Sequence, residues 1–458
     1  MRFKVAKLKV LILFTFCVVV KNLPAQNVKD TVFYNLKQLL NLAQENNKDI
    51  QMVRLQLQKA NQQIELKKTG YLPKIDAFAD YYWYMGNLPL AIFPENEGKV
   101  LSGGTSNGAY PVSLGLPNNL LTGISLSQRL FDFSFLNSGK SKEVFSTLES
   151  DKIKEKKEQL FYDVAKCYYE ISQLATKGDL IDFNITRLDR MIRILQVQLS
   201  NQMTDSLQLL DLQLKKAELS LTKNEFNSGM QRKSNYLKML VGLPDSIVID
   251  YGKLDYTPTL EISSDSTDAE ASTQMNLLNQ AQSMNDLSQK QVQAEYLPTL
   301  DFKFNLLWNS QSQDLGFLSS QAYGNNISTL GLKLDIPIYH GAEKKKKLQE
   351  LEIDRHILDL QKQKLKEGFQ LQNENSMKEL EFKTSRFLHQ QEITQLKKRY
   401  LEKANKQFEQ GILPVKDLLD AQSRLLESQL KTAEILLDVK LAELDYYKWS
   451  NQLLTKLE

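Results

Sequence analysis

The chain has 458 residues, and its 58 Lys and Arg against 55 Asp and Glu give a formal charge of +3. Such near-neutrality leaves no electrostatic footprint for nucleic acid, and 2 cysteines with 3 histidines exclude a disulfide scaffold and argue against a His/Cys metal site. Apolar residues make up 42% of the chain, and Gly and Pro are few, which suits long helices better than a loop-rich fold.

Residues 1–25 read as an export signal. Arg2, Lys4, Lys7 and Lys9 precede an apolar run, Val10–Val20, and Ala25 offers a small residue for cleavage. The run is too short to cross a bilayer as a stable helix. Cys17 lies inside it, so cleavage would leave Cys167 as the sole thiol. No later stretch reaches the length of an apolar membrane helix. A mature chain that crosses a membrane would therefore use β-strands, the other structure that satisfies its backbone in lipid.

The first half reads as a helix (26–70), a β-hairpin (71–132) and a long helical hairpin (133–241). In the first strand Ile75, Ala77, Ala79, Tyr81 and Trp83 fall on alternate positions. In the second, Ile124, Leu126 and Leu130 alternate with Ser125, Ser127 and Arg129. Residues 85–119 between them form a Gly/Pro/Asn-rich spacer. From Ser134 to Asn201 only Gly139 and Gly178 weaken a helix, and no Pro interrupts it. Gly242 and Pro244 then stop the return helix. Residues 242–272, rich in Asp, Ser and Thr, read as a small inter-repeat region midway along the helices.

The second half repeats the order: a helix (273–295), a hairpin (296–340) and a helical hairpin (341–458). Leu300, Phe302, Phe304, Leu306 and Trp308 alternate with Asp301, Lys303 and Asn305, Leu307 being the exception. Leu330, Leu332, Leu334, Ile336 and Ile338 do the same against Gly331, Lys333, Asp335 and Pro337. Helix-compatible sequence from Ala342 to Gln410 would reach about 100 Å at 1.5 Å per residue. The return segment carries Val415, Leu419, Leu426, Leu430, Ala433, Leu437, Leu441 and Leu444 at coiled-coil steps.

The halves match one another. Tyr71-Leu72-Pro73 recurs as Tyr296-Leu297-Pro298, Trp83 as Trp308, and Leu209-Leu210-Asp211 as Leu418-Leu419-Asp420, in the same order. Aromatic residues mark the strand ends: Tyr71, Phe131, Tyr296 and Tyr339 on one side, Trp83 and Trp308 on the other. Paired girdles of this kind suit a membrane barrel. Four strands cannot close one, since about eight are needed. Either several chains share the barrel, three giving twelve strands, or the hairpins pack on a soluble core. The helices fit either a single-layer wall or a plain coiled-coil rod.

The strand-initiating Tyr-Leu-Pro segments, Leu334–Gly341 leading into a helix, and Gly411–Gln422 together resemble the TolC-like outer-membrane efflux protein family. The resemblance covers nearly all of the mature chain. It implies a mainly α fold with membrane β: long coiled-coil helices forming an α-barrel, and four β-strands per chain contributing to a trimeric 12-stranded transmembrane β-barrel. It also implies a homotrimer in outer-membrane lipid with a periplasmic helical part. That trimer would dock with a periplasmic adaptor (membrane fusion) protein and an inner-membrane pump in efflux or type I secretion.

The resemblance further implies a gate at the helical-hairpin tip of Gly411 and Pro414, with Asp417 and Asp420 as an acidic ring. Three residues apart, the two acids share a helix face. A trimer would gather six carboxylates about one axis, which favours cations. The plainer reading is that acids in the first turn stabilise the helix N-terminus. The first-half counterparts are Asp211 and, at the Gly411 position, Gln202; Leu413 stands where some relatives carry an arginine.

Catalytic chemistry is not evident. Gly139-Lys140-Ser141 resembles the end of a phosphate-binding loop, but Ser134 replaces the required glycine. His340, His356 and His389 have no metal-ligand spacing, and Cys167 lies on an apolar helical stretch with Val164, Tyr168 and Ile171. Lys344–Lys347 reads as a solvated face. The sequence thus predicts a duct with no catalytic role, cofactor, metal or nucleic-acid partner. The alternative is a soluble periplasmic coiled-coil adaptor or tether.

Overall fold

The structure, a computed structural model, describes residues 31–85, 90–94, 109–113, 116–133, 138–201, 205–244, 247–250, 269–316, 323–339 and 341–457. The export segment, residues 251–268, Gln202, Ser134 and His340 lie outside them. The first half contains β1 (Thr31–Phe33), α1 (Leu36–Asn46), α2 (Lys48–Lys68), β2 (Lys74–Trp83), β3 (Leu90–Pro94), β4 (Ala109–Ser113), β5 (Asn118–Phe131), α3 (Ser138–Ser200) and α4 (Ser206–Val241). After β6 (Val248–Asp250) come α5 (Thr273–Ala294), β7 (Thr299–Ser312), β8 (Tyr323–Asp335), α6 (Glu343–Glu409), α7 (Val415–Trp449) and α8 (Leu453–Leu457). They divide into two units. One comprises Arg54–Lys152 and Thr273–Lys364; the other runs to Val53 and adds Ile153–Ser272 and Leu365–Glu458.

The first unit carries a four-stranded antiparallel sheet in the order β2-β5-β7-β8. β2 pairs with β5 and β7 with β8, and β5 pairs with β7 to join the two pairs. Residues directly opposite share a face, so the register reads each face across all four strands. One face is apolar: Ile75–Leu126–Phe304–Leu330, then Ala77–Ile124–Leu306–Ser328, with Phe302–Leu332 and Leu300–Leu334 beyond. The other carries Asp76–Ser125–Asn305–Thr329, Lys74–Ser127–Lys303–Gly331 and Arg129–Asp301–Lys333. Arg129 ties this polar face together, bonding Asp301 at 3.0 Å and Asp132 at 2.9 Å. Gly123 is required by close approach, because a Cβ there would lie 2.4 Å from the Leu306 carbonyl oxygen.

The apolar face is bare in one chain: Ile75 is 66% exposed and Leu330 73%. Among the described residues each of β2 and β8 has one sheet neighbour, so both edges of the sheet are open within one chain. Within the sequence spacer, β3 pairs antiparallel with β4, an extension that turn-rich composition alone does not reveal.

The second unit is mainly helical. In segment 26–70, β1 and α1 belong to this unit, and α2, separated from α1 at Asn47, continues past Val53 into the first. The Asn47 side chain explains the break: its Oδ1 accepts from the N–H groups of Asp49 and Ile50, at 2.8 and 3.2 Å, and caps α2. Its Nδ2 donates to Leu240 O at 2.7 Å, at the end of α4. There Gly242 adopts φ +75°, and a Cβ would strike Asn46. Leu39, Ile50, Phe161, Val164, Ile171, Leu237 and Val241 form the core around this junction. β1 pairs in parallel with β6. The α6–α7 hairpin is stapled by Leu380, Phe387, Ile435, Leu436 and Val439. No helix among the described residues is long and apolar enough to cross a membrane.

Candidate functional site

The turn between α6 and α7 is built by its backbone. Gly411 takes φ +72°, which a side chain disfavours. Its N–H donates to Phe408 O and that of Ile412 to Gln407 O, both at 2.9 Å, closing the C-terminus of α6. Pro414 is the N-cap of α7, and its carbonyl accepts from the Asp417 N–H at 3.1 Å. Asp417 lies in the first turn of α7 and Asp420 one turn on. Both are exposed, whereas Leu418 and Leu419 between them are buried.

Packing fixes that orientation. Leu418 joins Leu401, Ala404, Ala421 and Leu425, with Leu413 against them. Leu419 joins Leu188, Ile192, Leu195 and Leu212, so the tip regions of the two helical hairpins lie side by side. The two acids are thus held together on the face of α7 left free by both clusters. Asp211 is exposed on α4, beside the buried Leu212. Sequence reasoning missed Asp205, whose side chain caps α4 by accepting from the Leu207 N–H at 3.3 Å. An acid just before a helical run was the available signal.

Lys140 and Ser141 lie in the first turn of α3, within helical backbone rather than a phosphate-binding loop. His356 and His389 stand on α6, and no group of potential metal ligands occurs among the described residues. Cys167 is buried, donating to Lys233 O at 3.4 Å. Burial pushes its thiol up to about 12, with Glu170 adding to the shift. Lys344 donates to Glu295 O and lies 4.9 Å from the Tyr296 ring centroid.

Residues 39–213 match the family model described as outer membrane efflux protein. No curated protein sequence matches the chain. Among solved structures, the Campylobacter jejuni CmeC outer membrane channel is 14% identical, with 91% of this chain and 86% of that one covered at a TM-score of 0.68. The Vibrio cholerae outer membrane protein VceC is 13% identical, covering 91% and 95% at 0.64. The open-state Neisseria gonorrhoeae MtrE outer membrane channel is 15% identical, covering 91% and 89% at 0.64. The chain shares the fold of these proteins from strands to helical hairpins.

Proposed function

We infer that this chain, which matches the outer membrane efflux protein model over residues 39–213 and shares the fold of outer membrane channels, is a TolC-like efflux protein and the protomer of a homotrimeric outer-membrane channel. The observation that carries this reading is the main sheet, with one face apolar and exposed, one face polar, and both edges open. In water the apolar face would forfeit roughly 1.5–3 kcal/mol for each large aliphatic side chain left uncovered. In a bilayer acyl chains cover it, but the open edges then strand backbone donors and acceptors in lipid. Pairing β8 of one copy with β2 of the next removes both edges. Three copies of a four-stranded sheet give twelve strands, an even number within the range of outer-membrane barrels.

The polar face then lines the lumen, and the helical hairpins form the periplasmic tunnel. The channel conducts passively, as the outlet of a tripartite efflux or type I secretion system fed by an inner-membrane pump through a periplasmic adaptor. At its tunnel end the turn of Gly411 and Pro414 presents Asp417 and Asp420, and three copies make an acidic ring. Electrophoresis of detergent-extracted outer membranes with and without heating tests the assembly. A trimer-sized band that collapses to the monomer on boiling is expected. Recovery as a soluble periplasmic monomer would overturn the proposal in favour of an adaptor or tether.

A further inference from the structure

The polar face of the sheet has one row that breaks its pattern. Phe78 lies opposite Gly123, Gly123 opposite Leu307, and Leu307 opposite Ile327. Leu121 adds a further apolar side chain in the adjoining row, which reads Asp80–Leu121–Asn309–Asn325. On the other side the next row is Asp76–Ser125–Asn305–Thr329. Covering the side-chain-free Gly123 accounts for Phe78 and Leu307, which flank it. It does not account for Ile327, one strand farther on and 42% exposed.

We propose that Phe78, Leu121, Leu307 and Ile327 form an apolar belt on the lumen wall that receives lipophilic organic cations in transit. The proposal rests on the trimeric-channel reading, in which this face meets water. The ligand class follows from what borders the belt. Asp76 and Asp80 flank Phe78 on β2, while the neighbouring rows on β7 and β8 offer only neutral Asn and Thr. Lysines begin two rows away, at Lys74 and Lys303. A molecule with a hydrocarbon body and a positive head thus finds aliphatic contact, an aromatic face and a carboxylate together. An anion of the same shape finds no positive partner beside the belt. Three copies extend the belt around the wall without narrowing it, so small hydrated ions pass unaffected.

The test uses the full-length protein reconstituted in planar bilayers, with alkyltrimethylammonium ions of increasing chain length as blockers and alkyl sulfonates as controls. Cation affinity should rise about twofold per methylene, short of the roughly fourfold that complete burial of a methylene supplies. Sulfonates of equal length should bind at least about tenfold more weakly. Leu307→Asn with Ile327→Asn should flatten the chain-length dependence while leaving potassium conductance unchanged. The isosteric pair Asp76→Asn and Asp80→Asn, which needs no repacking, should instead shrink the cation–sulfonate difference. A wild-type channel with no chain-length dependence overturns the belt alone, as does a dependence untouched by both pairs of substitutions. Failure of the wild-type protein to form any channel overturns the trimeric reading and the belt with it.

Discussion

Lys177 is a buried cation on α3, held by Glu434 of α7 at 2.9 Å and lying 5.6 Å from the Phe226 ring centroid. Its hydrogen bond holds the Glu434 carboxyl below the usual carboxylate range, against the opposing effect of burial, with Lys431 assisting. A carboxyl with a lowered folded-state value contributes stability above its unfolded value and loses it as pH falls through the folded one. Glu434→Gln should therefore cost about 1–2 kcal/mol at neutral pH, less than a fully buried pair because Glu434 is half exposed. Thermal melts of both proteins across acidic pH should converge as the wild-type carboxyl protonates; a constant gap would remove the ion pair as its cause. Cys167 yields a second expectation. With its thiol pushed up to about 12 by burial, almost none of it is ionised at pH 8. Maleimide should label it only after denaturation, which mass spectrometry would read directly. The apolar company of Cys167 was legible in the sequence, since Val164 and Ile171 follow helical spacing and both are fully buried. The Lys177–Glu434 pair was not, because its partners belong to different repeats and no local pattern links them.

Among the elements, strand periodicity revealed the two faces of the sheet but not its central pairing. Alternation says which way a side chain points and is silent on which strand lies next to it. The β5–β7 pair joins the two repeats, and β5 is the strand whose alternation is weakest, because Leu121 and Gly123 interrupt it. Gly123 is the residue on which that pairing depends. Gly123→Ala should disrupt the β5–β7 register and with it the proposed heat-modifiable trimer, since the added carbon meets a carbonyl oxygen of the neighbouring strand. Gly368→Ala, on α6 and away from the sheet edges, is the control: within the chain nothing lies within 4 Å of its added carbon. Equal trimer yields from the two variants would show that close approach is not what selects Gly123. The helix break at Asn47 escaped sequence reasoning for a related reason. Asparagine is a favoured N-cap, but a helix-compatible run on both sides gives no sign that the chain restarts there, and the bond from Asn47 to Leu240, which fixes the break, is distant in the chain. Asn47→Ala removes a cap and a buried hydrogen bond together, at an expected cost of about 2–3 kcal/mol in thermal denaturation.

For the molecule as a whole, two physical accounts compete for the acids at the tip of the α6–α7 hairpin. Stabilisation of the helix N-terminus explains Asp417, which lies in the first turn, but decays before Asp420. A ring of carboxylates about a threefold axis would use both, and both are exposed beside buried Leu418 and Leu419. The single variants therefore separate the accounts. Asp417→Ala should lower stability by about 0.3–1 kcal/mol and also weaken cation selectivity. Asp420→Ala should weaken selectivity with no change in melting temperature. The double variant should lose both cation preference and block by divalent ions, read as reversal potential in a salt gradient and as conductance with added magnesium. Magnesium retains much of its hydration shell when carboxylates bind it, so its block should need the concentrated charge of several copies and vanish before monovalent selectivity does. If the double variant keeps the reversal potential and magnesium block of the wild type, the acids serve only their own helix, and the channel's constriction must be sought elsewhere.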